Sequence, residues 1–356
     1  MRAHPGVVAL LSLAAACVAG CRGDLATAGD AATPVDADLG PDGPNGTGCT
    51  PTTPRTVAPE TFVGPSGLEP RLIALIDGAQ TSLDLQMYLF SDTALGNRVV
   101  AAKARGVAVR VILDPGESAN KAVRPMFQAQ GVPLRDAPAI YTYAHAKYMV
   151  IDHTTAVIMS MNFNPDAMRT ERNYGVIDRD PEDVYDLALI FRMDWAAAGA
   201  EPPRPANLDC TRLVVSPDNS KTRILTLIGG ATTTLDVEAM YVADASVRTA
   251  ITNAKARGVA VRVILEDPNE NQETSTDATP FLKAAGIEVK LATSAQFYLH
   301  AKLIIADGVA MVGSENYSQT SLTANREVGA LIFEPDAVAP IQTQFEADWA
   351  ATADAP

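Results

Sequence analysis

Twelve residues, AKARGVAVRVIL, stand at 102–113 and return unchanged at 254–265. A repeat of this kind obliges the chain to build one unit twice. The match extends outward from it. TSLDLQMYLFSD (81–92) parallels TTLDVEAMYVAD (233–244), and HAKYMVID (145–152) parallels HAKLIIAD (300–307). Each copy closes on Phe, two residues and Asp-Trp-Ala-Ala, at 191–197 and 345–351, so both tryptophans are repeat-equivalent. Within a copy, SLDLQMYLF alternates like a strand. The stretch from 93 to 105 reads as a helix ending at Gly106, and VAVRVIL as the buried strand after it. Strands alternating with helices imply an α/β class: two pseudo-symmetric α/β/α lobes with mixed β-sheets and flanking helices. The lobes are expected over 61–200 and 211–356, joined by the Pro-rich EPPRPANLDC at 201–210. At 47% hydrophobic and 20% charged residues, the chain has enough apolar material for two cores.

Histidine usage points to the chemistry. Of four histidines, His4 lies in the N-terminal apolar segment and His153 has no counterpart in the other copy. His145 and His300 are equivalent, and each opens the pattern His-x-Lys-x-x-x-x-Asp: His145, Lys147, Asp152 and His300, Lys302, Asp307. Positions i and i+2 of a strand share a face, so each imidazole has an ammonium beside it. That pairing disfavours a buried structural histidine and suits an anion. A short polar turn then ends the apolar runs TAVIM and VAMV, as Ser160-Met161-Asn162 and Ser314-Glu315-Asn316.

Two HxKxxxxD motifs, each followed by a Ser/Gly-x-Asn turn, resemble the signature of the phospholipase D superfamily, and the resemblance spans roughly residues 65–352. It implies the phospholipase D-like fold with one active site at the lobe interface. It also implies attack by one imidazole on a phosphodiester to give a phosphohistidine, with the other acting as acid and then base. Lys147, Lys302, Asn162, Asn316, Ser160 and Ser314 are expected to hold the non-bridging oxygens. By the same resemblance His145 is the nucleophile and His300 the acid–base. Asp152 and Asp307 complete the motif, either in the catalytic set or fixing the loop after the strand. A later carboxylate is expected to orient the imidazole of the opposite motif through Nδ1. Glu327 fills that place in the second copy; the first has Asn173 there, with Glu171 two residues earlier. No metal or cofactor is expected, since no other His, Cys or carboxylate cluster has ligand spacing. Met159, Met161 and Met168 read as core filler, and Lys103, Arg105, Arg110 with their partners Lys255, Arg257, Arg262 as a solvated face.

The N-terminus reads as an address. Arg2 and the apolar stretch Val7 to Val18 have the form of an export signal over 1–20. Val18-Ala19-Gly20-Cys21 resembles a bacterial lipobox, which would make Cys21 a lipidation site and tether the protein to the cell envelope, on the outer-membrane or periplasmic side; an ordinary cleaved signal is the alternative. Residues 21–60, rich in Asp, Pro, Gly and Thr, are expected to be a disordered stalk. Cys49 and Cys210 are either a disulfide or two free thiols.

The formal net charge of −14 disfavours a surface built to coat nucleic acid. The expected function is a metal-independent phosphodiesterase hydrolysing glycerophospholipids at a membrane surface, with a monomer sufficing. The alternatives are a nuclease of the same superfamily and a non-catalytic lipoprotein that binds phosphorylated ligands.

Overall fold

The computed structural model describes residues 55, 57–202, 208, 211–270 and 278–355. The first lobe runs β1 (Glu60–Gly64), α1 (Leu68–Gly78), β2 (Ser82–Met87), α2 (Thr93–Ala104), β3 (Ala108–Leu113), a 3-10 turn (Ser118–Ala122), α3 (Arg124–Ala129), β4 (Leu134–Asp136), β5 (Lys147–Ile151), β6 (Thr155–Met159), α4 (Pro165–Arg169), β7 (Glu171–Asp178) and α5 (Pro181–Ala198). The second runs β8 (Leu213–Ser216), α6 (Ser220–Gly230), β9 (Thr234–Ala239), α7 (Ala245–Ala256), β10 (Ala260–Glu266), α8 (Thr279–Ala284), β11 (Glu288–Ala292), β12 (Tyr298–Leu299), β13 (Lys302–Ala306), β14 (Val309–Gly313), α9 (Gln319–Thr323), β15 (Glu327–Ile332), α10 (Pro335–Ala351) and β16 (Ala353–Asp354). The two sheets have the same strand order, β1-β7-β6-β5-β2-β3-β4 and β8-β15-β14-β13-β9-β10-β11, with β16 added to the second. Pairing is parallel from β2 to β4 and from β9 to β11, and antiparallel elsewhere within these paths, so both sheets are mixed as expected.

The invariant twelve residues now have a physical reason. Arg105 ends α2 and donates back to the carbonyls of Ile76 and Ala79 at the end of α1, at 3.1 and 3.2 Å. Arg257 does the same for Ile228 and Ala231, at 3.2 and 3.0 Å. Gly106 and Gly258 follow with φ of 97° and 92°, the left-handed turn that ends a helix at least cost with glycine. Arg110 grips Asp84 with two bonds of 2.7 Å and covers the Phe191 ring at 5.2 Å. Arg262 grips Asp236 at 2.8 Å twice and covers Phe345 at 4.9 Å. Arg105 and Arg257 are exposed, as expected of a solvated helix face, and also brace helix ends, whereas Arg110 and Arg262 are half-buried against the closing Phe-x-x-Asp-Trp helix, which corrects the solvated reading for those two.

The lobes share their interior. One cluster joins Tyr148, Leu187 and Phe191 of the first lobe to Leu213, Val215 and Val328 of the second. Another joins Tyr174 and Val176 to Leu303, Val312 and Phe345. Strand β12 of the second lobe pairs with β7 of the first, Leu299 against Arg172, and the equivalent bridge joins Ala144 to Arg326. Met159 and Met161 are fully buried and Met168 nearly so, in the core of the first lobe, as expected.

The folded body begins earlier than 61. β1 starts at Glu60, and Arg55, expected in the stalk, is held inside: its amide donates to Glu334 at 2.9 Å, and its guanidinium pairs with Asp183 at 3.2 Å and with Glu182. Arg212 joins the same cluster through Asp178, Asp183 and Glu334. The carboxylates need these two cations once they are withdrawn from water. Residues 1–54, with Cys21 and Cys49, and also Cys210 lie outside the described residues.

Candidate active site

β5 and β6 run antiparallel, as do β13 and β14, so the His-x-Lys start of one strand and the Ser-x-Asn turn ending its neighbour fall at the same sheet edge. The two edges meet where the lobes join, and each lobe completes the other.

His145 Nδ1 lies 2.8 Å from Glu327 Oε2, across the interface. The second oxygen of Glu327 accepts from Ser321 Oγ at 2.8 Å and Asn325 Nδ2 at 3.0 Å. Burial pushes the Glu327 carboxyl up, but the imidazole and the Lys147 ammonium outweigh it and hold it below the usual glutamate range. His300 Nδ1 lies 3.1 Å from Asn173 Oδ1. The orientation of this carboxamide is fixed by its neighbours. Its Nδ2 donates to Glu171 Oε2 at 3.1 Å, and its Oδ1 also accepts the Ser160 hydroxyl at 2.8 Å. An oxygen therefore faces His300, whose proton must sit on Nδ1, leaving the Nε2 lone pair free. Glu171 itself stands 3.7 Å from that imidazole, one step behind the amide.

Burial lowers the pKa of both histidines, and the ammonium groups of Lys147 and Lys302 add to it. For His145 the Glu327 carboxylate at 2.8 Å opposes that shift; for His300 the Glu171 carboxylate stands farther off, at 3.7 Å, and the ring falls well below 6.5. Both lysines are buried, donating to the carbonyl of the histidine two residues before, His145 for Lys147 and His300 for Lys302 at 2.6 Å. Burial brings Lys147 down to about 7. The Tyr88 ring packs against this half-site, 4.7 Å from the His145 ring and 5.0 Å from Lys147 Nζ. Asn162 and Asn316 hold their carboxamides at the turns with Oδ1 buried and unpartnered among the described residues. The two lysines and two imidazoles are arranged to receive an anion, to which the carboxamides can add only their Nδ2 donors.

Four expected site residues stand elsewhere. Ser160 Oγ accepts from Tyr174 N at 3.0 Å and gives its proton to Asn173, while Ser314 Oγ accepts from Val328 N at 3.0 Å and turns its proton to the Val328 carbonyl. Their hydroxyls stitch β7 and β15 in place and have no proton left for a phosphate. Asp152 and Asp307 lie at the far ends of β5 and β13. Asp152 accepts from the amides of Gln80, Thr81 and Ser82, and Asp307 from those of Thr232, Thr233 and Thr234. These bonds overcome burial and hold Asp307 at about 2. Both aspartates have positive φ, 53° and 48°, and fix the turn after the strand. The loop-fixing alternative is the one the geometry supports.

The sequence reading missed the residues that hold the orienting groups. Arg172, beside Asn173, pairs across the interface with Asp348 of the second Asp-Trp motif at 2.6 and 3.1 Å. Arg326, beside Glu327, pairs in the opposite direction with Asp194 of the first at 2.8 Å. Each also binds the carbonyl ending its own lobe's first strand, Gly64 at 2.5 Å and Ser216 at 3.0 Å. The signal was present, because both the arginines and the aspartates are repeat-equivalent.

The family described as "Cardiolipin synthase, PLD-like domain" matches at residues 72–195 and again at 224–349. The chain belongs to that family, and so to the phospholipase D superfamily. A cardiolipin synthase of Listeria monocytogenes is 26% identical over 321 residues, covering 78% of this chain and 66% of the relative. A probable cardiolipin synthase of Bacillus subtilis is also 26% identical, covering 78% of this chain and 63% of the relative. The chain thus spans just under two thirds of the length of these relatives. Among solved structures, phosphatidylserine synthase from Haemophilus influenzae has a TM-score of 0.65 at 14% identity, over 85% of this chain and 89% of that one. Polyphosphate kinase from Porphyromonas gingivalis has the same TM-score at 17% identity, over 83% of this chain and 48% of that one. Both share the fold. No helix among the described residues is long and apolar enough to cross a membrane.

Proposed function

We propose that the protein is a phospholipid phosphodiesterase working through a phosphohistidine on His145. The observation that carries this reading is the pair of imidazoles, each fixed through Nδ1 by the other lobe and flanked by a buried lysine. Attack by His145 Nε2 on phosphorus places positive charge on the ring, and the carboxylate of Glu327 sits at 2.8 Å to receive it. Entry of the anionic phosphodiester brings a solvent proton onto His300 Nε2, and the P–O bond to the head-group alcohol breaks as that imidazolium delivers this proton to the leaving oxygen. Held by a neutral amide, that imidazolium is a ready donor. His300, now neutral, takes a proton from water; the water oxygen bonds to phosphorus, the P–N bond breaks, and phosphatidic acid leaves. Lys147, Lys302, Asn162 and Asn316 bind the non-bridging oxygens throughout. Glycerophospholipid is the proposed substrate because the relatives named above are cardiolipin synthases, and a lipid anchor at Cys21 would keep the site at its membrane. An alcohol in place of water would make the same intermediate a transferase step.

The test offers the full chain, and its His145→Ala variant, vesicles of phosphatidylcholine and of phosphatidylglycerol alongside single- and double-stranded DNA, in EDTA. Phosphatidic acid from the wild type alone supports hydrolysis, and cardiolipin from phosphatidylglycerol supports transfer. DNA cleavage without lipid turnover replaces the reading with a nuclease.

A further inference from the structure

Among the described residues four large apolar side chains are exposed: Val57, Ile140, Tyr143 and Phe281. Two of them share the short segment between β4 and β5 that leads directly into His145. Ile140 is 76% exposed and Tyr143 47%. This segment is braced from both lobes. Thr142 N donates to Ala324 O at 2.9 Å, Arg326 N to Tyr143 O at 2.9 Å, and Ala144 N to Asp114 Oδ2 at 2.7 Å. Between the exposed pair, the half-buried Tyr141 places its hydroxyl 2.9 Å from the buried carboxylate of Asp194. One side-chain bond from Tyr141 and three bonds from backbone groups hold the two apolar side chains out in water. From that edge an aromatic path runs inward: Tyr143 meets Tyr88 edge-on at 6.2 Å, and Tyr88 lies 4.7 Å from His145.

We propose that this loop is the edge by which the cleft docks on a phospholipid bilayer, with Ile140 and Tyr143 entering the interfacial layer so that a head-group phosphodiester lies within reach of His145. The proposal rests on the phospholipid reading above. A tyrosine ring with an apolar body and a polar tip suits the depth of the head groups, and isoleucine suits the boundary with the acyl chains. A chain with a formal net charge of −14 draws little from an anionic surface, so apolar contact must carry the docking. Rigidity favours it as well, because no loop has to be ordered on contact. Transferring one isoleucine out of water corresponds to roughly tenfold or more in partition.

The experiment uses the full chain with a tryptophan placed at the edge, Tyr143→Trp, or away from it at another exposed apolar site, Phe281→Trp on α8. Phosphatidylcholine vesicles brominated on the acyl chains should quench the first well above the second, whether or not an anchor holds the protein to the vesicle. In parallel, Ile140→Ser should lower turnover of vesicular phosphatidylcholine about tenfold and leave turnover of monomeric dihexanoyl phosphatidylcholine unchanged. Equal quenching at both sites, or none, overturns the docking, as does an equal loss on both lipids. Self-association abolished by Ile140→Ser would assign the loop to a second copy and overturn it too. If the wild type turns over neither lipid, the catalytic reading falls instead, and quenching alone then decides whether the loop docks.

Discussion

Replacing Glu327 by glutamine should harm the enzyme more than truncating it to alanine. Two donors, Ser321 Oγ and Asn325 Nδ2, already hold one oxygen of this side chain. In Glu327→Gln the amide oxygen must stay with them, which turns its NH2 towards His145 Nδ1. A donor at that position forces the imidazole proton onto Nε2, where the attacking lone pair is needed. The comparable wrong-tautomer swap in the serine-protease triad costs about 10⁴-fold in kcat, and about 10³–10⁴-fold is expected here. Glu327→Ala leaves space for water to accept from Nδ1 and keeps the productive tautomer. It loses one charge-assisted bond, about 1.5–3 kcal/mol, or roughly 10–100-fold. The assay is hydrolysis of bis(p-nitrophenyl) phosphate in EDTA, separating kcat from KM, with melting curves to confirm that both variants fold. Both losses should fall on kcat. An alanine variant slower than the glutamine variant, or a glutamine variant within twofold of wild type, would refute the orientation argument.

Asp194→Ala removes a buried partner of Arg326, which keeps Asp218; about 3 kcal/mol of stability should be lost in urea denaturation, and a loss below 1 would mean the cross-lobe pair holds nothing. Asp307→Asn should be less stable than wild type at pH 7. Since the folded pKa of about 2 lies below the usual aspartate value, Asp307 stabilises the fold above about pH 4, and the gap should close as pH falls towards 2; a gap that widens in acid contradicts the turn-fixing role. Glu315 is fully buried with neither oxygen well partnered, and burial raises its pKa far above the usual range. Glu315→Met, the residue at the equivalent position 161, should therefore raise stability by about 1–2 kcal/mol in the same denaturation, and a lower midpoint would show that the acid has a partner.

The repeat made both lobes legible, because identical letters must fold identically, and it located the strand edges where His145 and His300 sit. The repeat alone could not say which lobe orients which imidazole; the family resemblance supplied that the carboxylate serves the opposite motif. Glu327 follows His300 closely in the chain yet binds His145, 182 residues away. Periodicity reports which face a residue takes, never what stands opposite. The same limit explains the serines. Ser160 and Asn162 share a turn, and only the position of Tyr174 N and Asn173 decides that the serine hydroxyl turns inward. Arg55 was hidden for another reason: composition averages over a segment, and one cation among Pro, Thr and Ala gives no sign that Glu182, Asp183 and Glu334 await it.

Duplication followed by divergence gives this site something a symmetric pair cannot have. In a dimer of identical lobes both imidazoles would receive the same partner from the opposite copy. Here the crossed geometry is kept, with Arg172 to Asp348 in one direction and Arg326 to Asp194 in the other. The groups those arginines adjoin have diverged, to Asn173 and Glu327. A ring that takes the phosphoryl group gains from a fixed negative charge as its own charge develops, whereas a ring that must release a proton gains from a partner that does not hold the proton back. With His145 as nucleophile and His300 as acid–base, the roles proposed above, the carboxylate and the neutral amide each stand behind the imidazole they suit, and in both cases the opposite lobe supplies them. Neither lobe alone contains a complete half-site, so the lobe interface is as much a part of the active site as the two motifs.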